Sequence, residues 1–384
     1  MAFEFATATR IIFGDGTADQ LPELAGALGG HALLVTGAKP ARHSQHIDAL
    51  SRVDLPCTVV SAADEPSIAA IEAARAEARE ARCDLVIAIG GGSVIDSGKA
   101  LAALIPNPGE ALDYLEVIGA GEKLTVSPLP FIALPTTAGT GAEVTKNAVL
   151  SSPEHGLKVS LRDNRMLPDI ALVDPLLTHS LPPVATASTG MDALTQLLEP
   201  FVSHLANPLT DALCEAGLRR AGRSLRRAVA EPNDADARAD MALASLLGGL
   251  ALANAKLGAV HGFAGVLGGL TGAPHGTVCA ALLPGVMQAN MTALAERAGD
   301  SPALPKYRRA ARLLLGSSDA TAHDALAWIN ETSGLFDIPR LGELGLHKTD
   351  FAEIVAKSQA SSSMKGNPIA LDAQELEAIL SLAL

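Results

Sequence analysis

Cysteine, aromatic residues and positive charge are all scarce in this chain. Its four cysteines, Cys57, Cys83, Cys214 and Cys279, are scattered and form no CxxC pair. A chain of 384 residues needs no disulfide staple, so a reducing, cytoplasmic setting is expected. One Trp, two Tyr and eight Phe give no guide to the shape of a pocket. Lys and Arg total 29 against 42 Asp and Glu, a formal charge of −13. So acidic a chain is a poor match for nucleic acid or an anionic membrane, and neither is expected as a partner. Backbone N–H groups can still hold a small anion locally. A long apolar run is also missing. The longest weakly polar stretch, residues 241–253, falls short of the roughly 20 residues a membrane span needs and predicts a buried helix. No basic segment followed by an apolar one opens the chain, so no signal peptide is expected.

What is present is material for a core. Apolar residues make up 48% and charged residues 18%, which excludes wholesale disorder, and the length suggests two domains. Up to about residue 175, short β-branched runs (32–36, 58–61, 85–89, 131–134, 170–173) alternate with Ala/Glu/Arg stretches of helical spacing such as 68–82. Near-continuous apolar strands separated by helices predict a parallel sheet covered on both faces. After Pro182-Pro183 the pattern changes to long Ala/Leu-rich helices at 187–203, 208–230, 235–255 and 301–314. The expectation is an α/β dinucleotide-binding domain over residues 1–180, followed by an all-α domain over residues 181–384.

The most informative loop follows the run at 85–89. It reads Gly90-Gly91-Gly92-Ser93 and leads through Asp96 to Lys99. Glycines let a backbone approach a phosphate, and the helix beyond offers free N–H groups and the positive end of its dipole. Ser93 is expected to cap that helix or touch the phosphate directly. Neither standard phosphate motif fits. Ile95 stands where GxGxxG needs its third glycine. Ser93 and Ala100 stand where a Walker A loop needs glycine and Ser/Thr. A ligand-free tight turn remains the alternative. A second loop, Pro135-Thr136-Thr137-Ala138-Gly139-Thr140-Gly141, follows another strand and again sets glycines and hydroxyls at the expected ligand edge of the sheet.

In the helical half, Asp192 and Gln196 are four apart and share a helix face. His261 and His275 follow, each beside a glycine in apolar surroundings. One Asp and two His can hold Zn²⁺ or Fe²⁺; by spacing alone, each histidine can equally be a satisfied core residue. His155, His179, His204, His323 and His347 have no partner at an informative spacing.

Taken in order, these stretches resemble the iron-containing (group III) alcohol dehydrogenases across nearly the whole chain. The resemblance rests on Phe13-Gly14, Glu65-Pro66-Ser67, Gly90 to Lys99, Pro135 to Val144, Pro168 to Pro175, Gly190 to Thr195, and His261 with Pro274-His275-Gly276. It implies a dehydroquinate synthase-like two-domain architecture and a homo-oligomeric NAD(P)-dependent oxidoreductase. The pyrophosphate is expected on Gly90, Gly91, Gly92 and Ser93 in a cleft, with Asp96, Thr136, Thr137, Thr140 and Lys158 as further cofactor contacts. Metal ligands carry over to Asp192, His261 and His275, which also form the implied catalytic set. Gln196 stands where the family usually has a further histidine, and it offers a neutral amide oxygen instead. Gly265 stands where the family often has another active-site imidazole. Gly37 stands where an acidic side chain would repel a 2′-phosphate, so NADP(H) is expected to be accepted alongside NAD(H). The implied reaction is hydride exchange between nicotinamide and a small alcohol or carbonyl substrate, assisted by Fe²⁺ or Zn²⁺. An oxo-acid reductase such as a maleylacetate reductase, a lyase of the dehydroquinate-synthase type and a catalytically impaired nucleotide-binding homologue are the rival readings.

Overall fold

The computed structural model describes residues 2–63, 65–155 and 157–384. Contacts gather these residues into two units. One spans Ala6–Thr137 and Gly141–Ser180. The other holds Leu181–Leu384 together with Ala138–Thr140 and residues 2–5.

The first unit is built on a six-stranded sheet formed by β1 (Arg10–Phe13), β2 (Ala32–Thr36), β3 (Cys57–Ser61), β4 (Leu85–Gly90), β5 (Phe131–Pro135) and β8 (Ile170–Val173). Its order is β1-β8-β5-β4-β2-β3, and every neighbouring pair is parallel. β2, β4, β5 and β8 are buried along their whole length. Side chains alternate between two cores, as a period of two demands. Leu33, Val35, Val86 and Ala88 pack with Val94, Ile95 and Ala100 of α4 (Gly92–Leu104). Ala32, Leu34, Leu85, Ile87 and Ile89 pack with Leu21, Leu24 and Ala25 of α1 (Leu21–Gly26) and Leu50 of α2 (Ser44–Ser51). Helix α3 (Ile68–Glu80) is capped by Ser67, which accepts from the Ala70 N–H, and α5 (Ala111–Tyr114) is a single short turn.

The chain steps from β2 to β3 on one side and returns past β2 to reach β4 on the other, so strand order reverses between β2 and β4. The carboxyl ends at such a reversal diverge and open a crevice for ligand. Gly37 follows β2 there, and Gly90 ends β4.

Three strands escape the pattern of continuous apolar runs. β1 is a short, partly exposed edge strand. β6 (Asn147–Ser152) and β7 (Leu157–Arg162) form a separate antiparallel hairpin whose side chains alternate between buried and half-exposed. Ser93 does not cap α4. The carbonyl of Gly91 accepts from both Val94 and Ile95, which starts the helix at Gly92 and makes Gly91 the N-cap, with Ser93 inside the first turn.

The second unit is all helical: α6 (Pro183–Val202), α7 (Pro208–Ala230), α8 (Ala235–Ala255), α9 (Ala259–Thr271), α10 (His275–Arg297), α11 (Ala303–Leu315), α12 (Ala322–Leu335), α13 (Phe351–Ala360) and α14 (Ala373–Ala383). Residues 241–253 lie in α8, largely buried as expected. Contrary to the expectation that no stretch is long enough, α10 suffices by length and composition to cross a membrane, but 67% of its apolar window is buried inside the protein, as in a core helix. Helix α6 lies at the centre of the unit, with Leu194, Leu197, Leu198 and Phe201 all in the core.

Candidate active site

The loop at the strand reversal is shaped by close packing. A Cβ on Gly90 would lie 2.5 Å from Val94, so only glycine lets β4 turn directly into α4. A Cβ on Gly91 would meet the Thr137 side chain at 3.3 Å. The Thr136 N–H donates to the Gly90 carbonyl at 2.9 Å, so the β4 and β5 loops are stitched together. No side chain caps α4, and with Val94 and Ile95 bonded to the Gly91 carbonyl, the N–H groups of Gly92 and Ser93 are the ones this helix start can offer an anion. Gly37, Gly90–Ser93, Thr136 and Thr137 thus share one edge of the sheet, and nothing lies within 4 Å of a Cβ added at Gly37.

Three other expected cofactor residues have different surroundings. Asp96 accepts the Val149 N–H at 3.0 Å through one carboxylate oxygen, and its other oxygen is 2.9 Å from Lys99 Nζ. Lys99 is 1% exposed, and it also donates to Thr145 Oγ1 and the Asn147 carbonyl. The pair therefore ties α4 to the β6–β7 hairpin. Lys158 lies on β7, with its ammonium 2.6 Å from Glu65. Thr140 groups with the helical unit, where neighbouring Gly139 packs against Thr189 of α6.

In the helical unit, α6, α9 and α10 converge on one cluster. Asp192 sits on α6, His261 in the first turn of α9 and His275 at the start of α10. Close approach of α10 depends on Gly276, where a Cβ would lie 2.3 Å from the Ser188 carbonyl, one turn before Asp192. Asp192 Oδ1 is 3.3 Å from His261 Nε2 and 3.9 Å from His275 Nε2. The imidazole centroids are 5.3 Å apart. Cys279, one turn into α10, completes the group, with Sγ 3.9 Å from His261 Nε2 and 3.7 Å from His275 Nε2. One donor atom from each of the four residues lies within 4.8 Å of all the others.

Glu199 stands behind this cluster. It accepts the Val260 N–H at 2.7 Å, satisfying a free donor at the N-terminus of α9, and holds His261 Nδ1 at 2.7 Å. That bond places a proton on Nδ1 and turns Nε2 toward Asp192 and Cys279, the orientation a metal-ligating imidazole requires.

The electrostatics follow from burial and close charges. Burial favours a neutral Asp192, but the close imidazoles of His261 and His275 overcome it and hold the carboxyl below its ordinary value. Burial likewise works against a charged His261. Cys279, Asp192 and Glu199 outweigh it and raise the imidazole well above the usual histidine range. Cys279 pushes His275 up to about 8 against desolvation, with help from Asp192.

Two buried oxygens in the cluster, Asp192 Oδ1 and Gln196 Oε1, have no hydrogen-bond partner. Orphaned acceptors beside imidazole and thiol donors are what a divalent cation would satisfy, so the residues fit such an ion. Among the described residues, nothing lies within 4 Å of a Cβ added at Gly265. Sequence reasoning missed Cys279 and Glu199. Each carried a signal: Cys279 is four residues after His275, and Glu199 is seven after Asp192 on the same helix face.

The chain thus joins a parallel sheet with a strand reversal to a helical unit bearing a carboxylate–imidazole cluster. Comparison with known proteins gives the family. Residues 8–175 match the iron-containing alcohol dehydrogenases, and residues 186–384 match the C-terminal domain of the Fe-containing alcohol dehydrogenase family. Alcohol dehydrogenase 4 of Saccharomyces cerevisiae is 36% identical over 319 residues, covering 83% of this chain and 80% of that protein. The 1,3-propanediol dehydrogenase of Klebsiella pneumoniae is 38% identical over 307 residues, covering 79% and 77%. Among solved structures, a 1,3-propanediol oxidoreductase superposes with a TM-score of 0.93 at 33% identity over the full length of both chains. A sulfoacetaldehyde reductase from Bifidobacterium kashiwanohense, solved with NAD+, gives 0.88 at 29% identity, covering 100% and 99%. The chain belongs to the iron-containing alcohol dehydrogenase family, and it is an oxidoreductase acting on CH–OH groups.

Proposed function

We propose that this enzyme interconverts a small alcohol and its aldehyde or ketone, using NAD(P) as hydride carrier and a divalent cation, Fe²⁺ or Zn²⁺, as helper. The observation that carries the reading is the buried Asp192–His261–His275 cluster with its unpartnered carboxylate oxygen. Those three side chains would hold the cation. When bound, it supplies Lewis acidity that polarises the substrate C–O bond.

The protein's own part is to bind, orient and exclude water. Gly90, Gly91, Gly92 and Ser93 would receive the pyrophosphate on the bare N-terminus of α4. Thr136 and Thr137, on the adjoining β5 loop, would bear on the same cofactor, whereas Asp96 acts by anchoring α4. Glu199 keeps His261 in the tautomer that presents Nε2. The side chain of His275 is 40% exposed, which gives the cluster a route to solvent. With Gly265 supplying no imidazole, the substrate proton would travel through water or a ribose hydroxyl. Gly37 leaves room for a 2′-phosphate, so NADPH would be used as well as NADH. The reading includes a cytoplasmic homo-oligomer, in keeping with four free cysteines.

The test is a panel of aldehydes and ketones followed by oxidation of NADPH and NADH, before and after chelation. Turnover should fall on chelation and return with Fe²⁺ or Zn²⁺. Full turnover by demonstrably metal-free protein would remove the cation from the reaction, and no turnover of any carbonyl would remove the reading itself.

A further inference from the structure

We propose that Cys279 is the fourth protein ligand of the cation, bound as thiolate, and that the centre is therefore an Asp–His–His–Cys site favouring Zn²⁺ over Fe²⁺. This deepens the reading above and rests on it.

Four of the six donor–donor distances in the cluster are close to those of a tetrahedral zinc site. Zinc bonds of about 2.0–2.3 Å at tetrahedral angles put neighbouring donor atoms about 3.3–3.8 Å apart. The four known edges here are 3.3 Å (Asp192–His261), 3.9 Å (Asp192–His275), 3.9 Å (His261–Cys279) and 3.7 Å (His275–Cys279). All four donors lie within 4.8 Å of one another. Cys279 Sγ is within hydrogen-bond reach of both imidazoles, but the buried Asp192 oxygen has no hydrogen-bond partner, so the cluster's own hydrogen bonds leave that oxygen unsatisfied.

Sulfur also fits the chemistry. His275 and Cys279 are four apart on α10 and present their donors from one face. Gln196 lies one turn from Asp192 on α6. Asp192 and Cys279 as anions balance the charge of a divalent cation, which the neutral amide of Gln196 would not. Thiolate is soft and selects zinc over harder ions, and zinc can expand to five donors when substrate arrives. On loading, the Cys279 S–H bond breaks, the sulfur lone pair goes to the metal and the proton leaves to water. No oxidant or reductant is involved.

The experiment loads the full-length protein with Co²⁺ as a spectroscopic stand-in and records its absorption. A thiolate-to-cobalt charge-transfer band in the near ultraviolet is expected in the unmodified protein. It should vanish in Cys279→Ser and persist in Gln196→Ala. Chelating the zinc form should expose one additional reactive thiol, and Cys279→Ser should bind zinc about tenfold or more weakly. Stoichiometric cobalt binding without the band, or a band that survives Cys279→Ser, overturns this inference and leaves the proposed function standing. Failure to bind cobalt or zinc at all overturns both the inference and the metal-assisted part of that function. The unmodified protein's spectrum decides the matter even if a variant fails to fold.

Discussion

Glu199 Oε2 lies 2.7 Å from His261 Nδ1, on the side of the imidazole opposite the one that meets Asp192. A carboxylate in that position decides which nitrogen carries the proton. The same side chain accepts the Val260 N–H, so the N-terminus of α9 and the orientation of His261 share one anchor.

Glu199→Gln should therefore weaken divalent metal binding by about 10–100-fold, the usual cost of disturbing the partner of a ligating histidine. Loss of a negative charge at the start of α9 should lower stability by only about 0.3–2 kcal/mol. Metal titration and thermal unfolding of the same variant separate the two effects. Unchanged metal affinity would show that His261 keeps its tautomer without Glu199.

Gly37→Asp should move cofactor preference toward NADH. The added side chain enters open space beside β2, so folding should be unaffected. Its carboxylate would repel a 2′-phosphate while accepting a hydrogen bond from a 2′-hydroxyl. A fall of about tenfold or more in the NADPH-to-NADH ratio of kcat/KM is expected, since about 1.4 kcal/mol suffices for a factor of ten. An unchanged ratio would mean that the ribose does not approach this strand end.

Glu143, 2% exposed, is the third test. Burial pushes its carboxyl up to about 7, against the backbone hydrogen bond and the charge of Lys99. Its folded-state value thus lies above its ordinary 4.5. The folded protein binds the extra proton, so the stability this group contributes is full below about pH 4.5 and is lost as pH rises to about 7. The loss amounts to about 3 kcal/mol at most. Glu143→Gln should match the unmodified protein near pH 5 and unfold at a higher temperature at pH 8. Parallel melting curves at both pH values would place the ionised carboxylate at no cost to the fold.

Hydrophobic period and glycine placement made the α/β half legible, because strands covered on both faces must be nearly all apolar and cannot resemble anything else nearby. The exceptions had physical causes. β1 is short and at an edge, and β6–β7 alternates rather than running apolar. The helix start at Gly92 was set by the carbonyl of Gly91, which no composition rule anticipates. In the helical half, one helix's periodicity put Asp192 and Gln196 on a common face. Sequence alone therefore determined the layers, the glycine turn and the donors on α6. Only the tertiary structure decided that Cys279 joins Asp192, His261 and His275. That choice rests on the approach of α10 to Ser188, a contact made possible by the missing side chain at Gly276 and invisible to any local spacing.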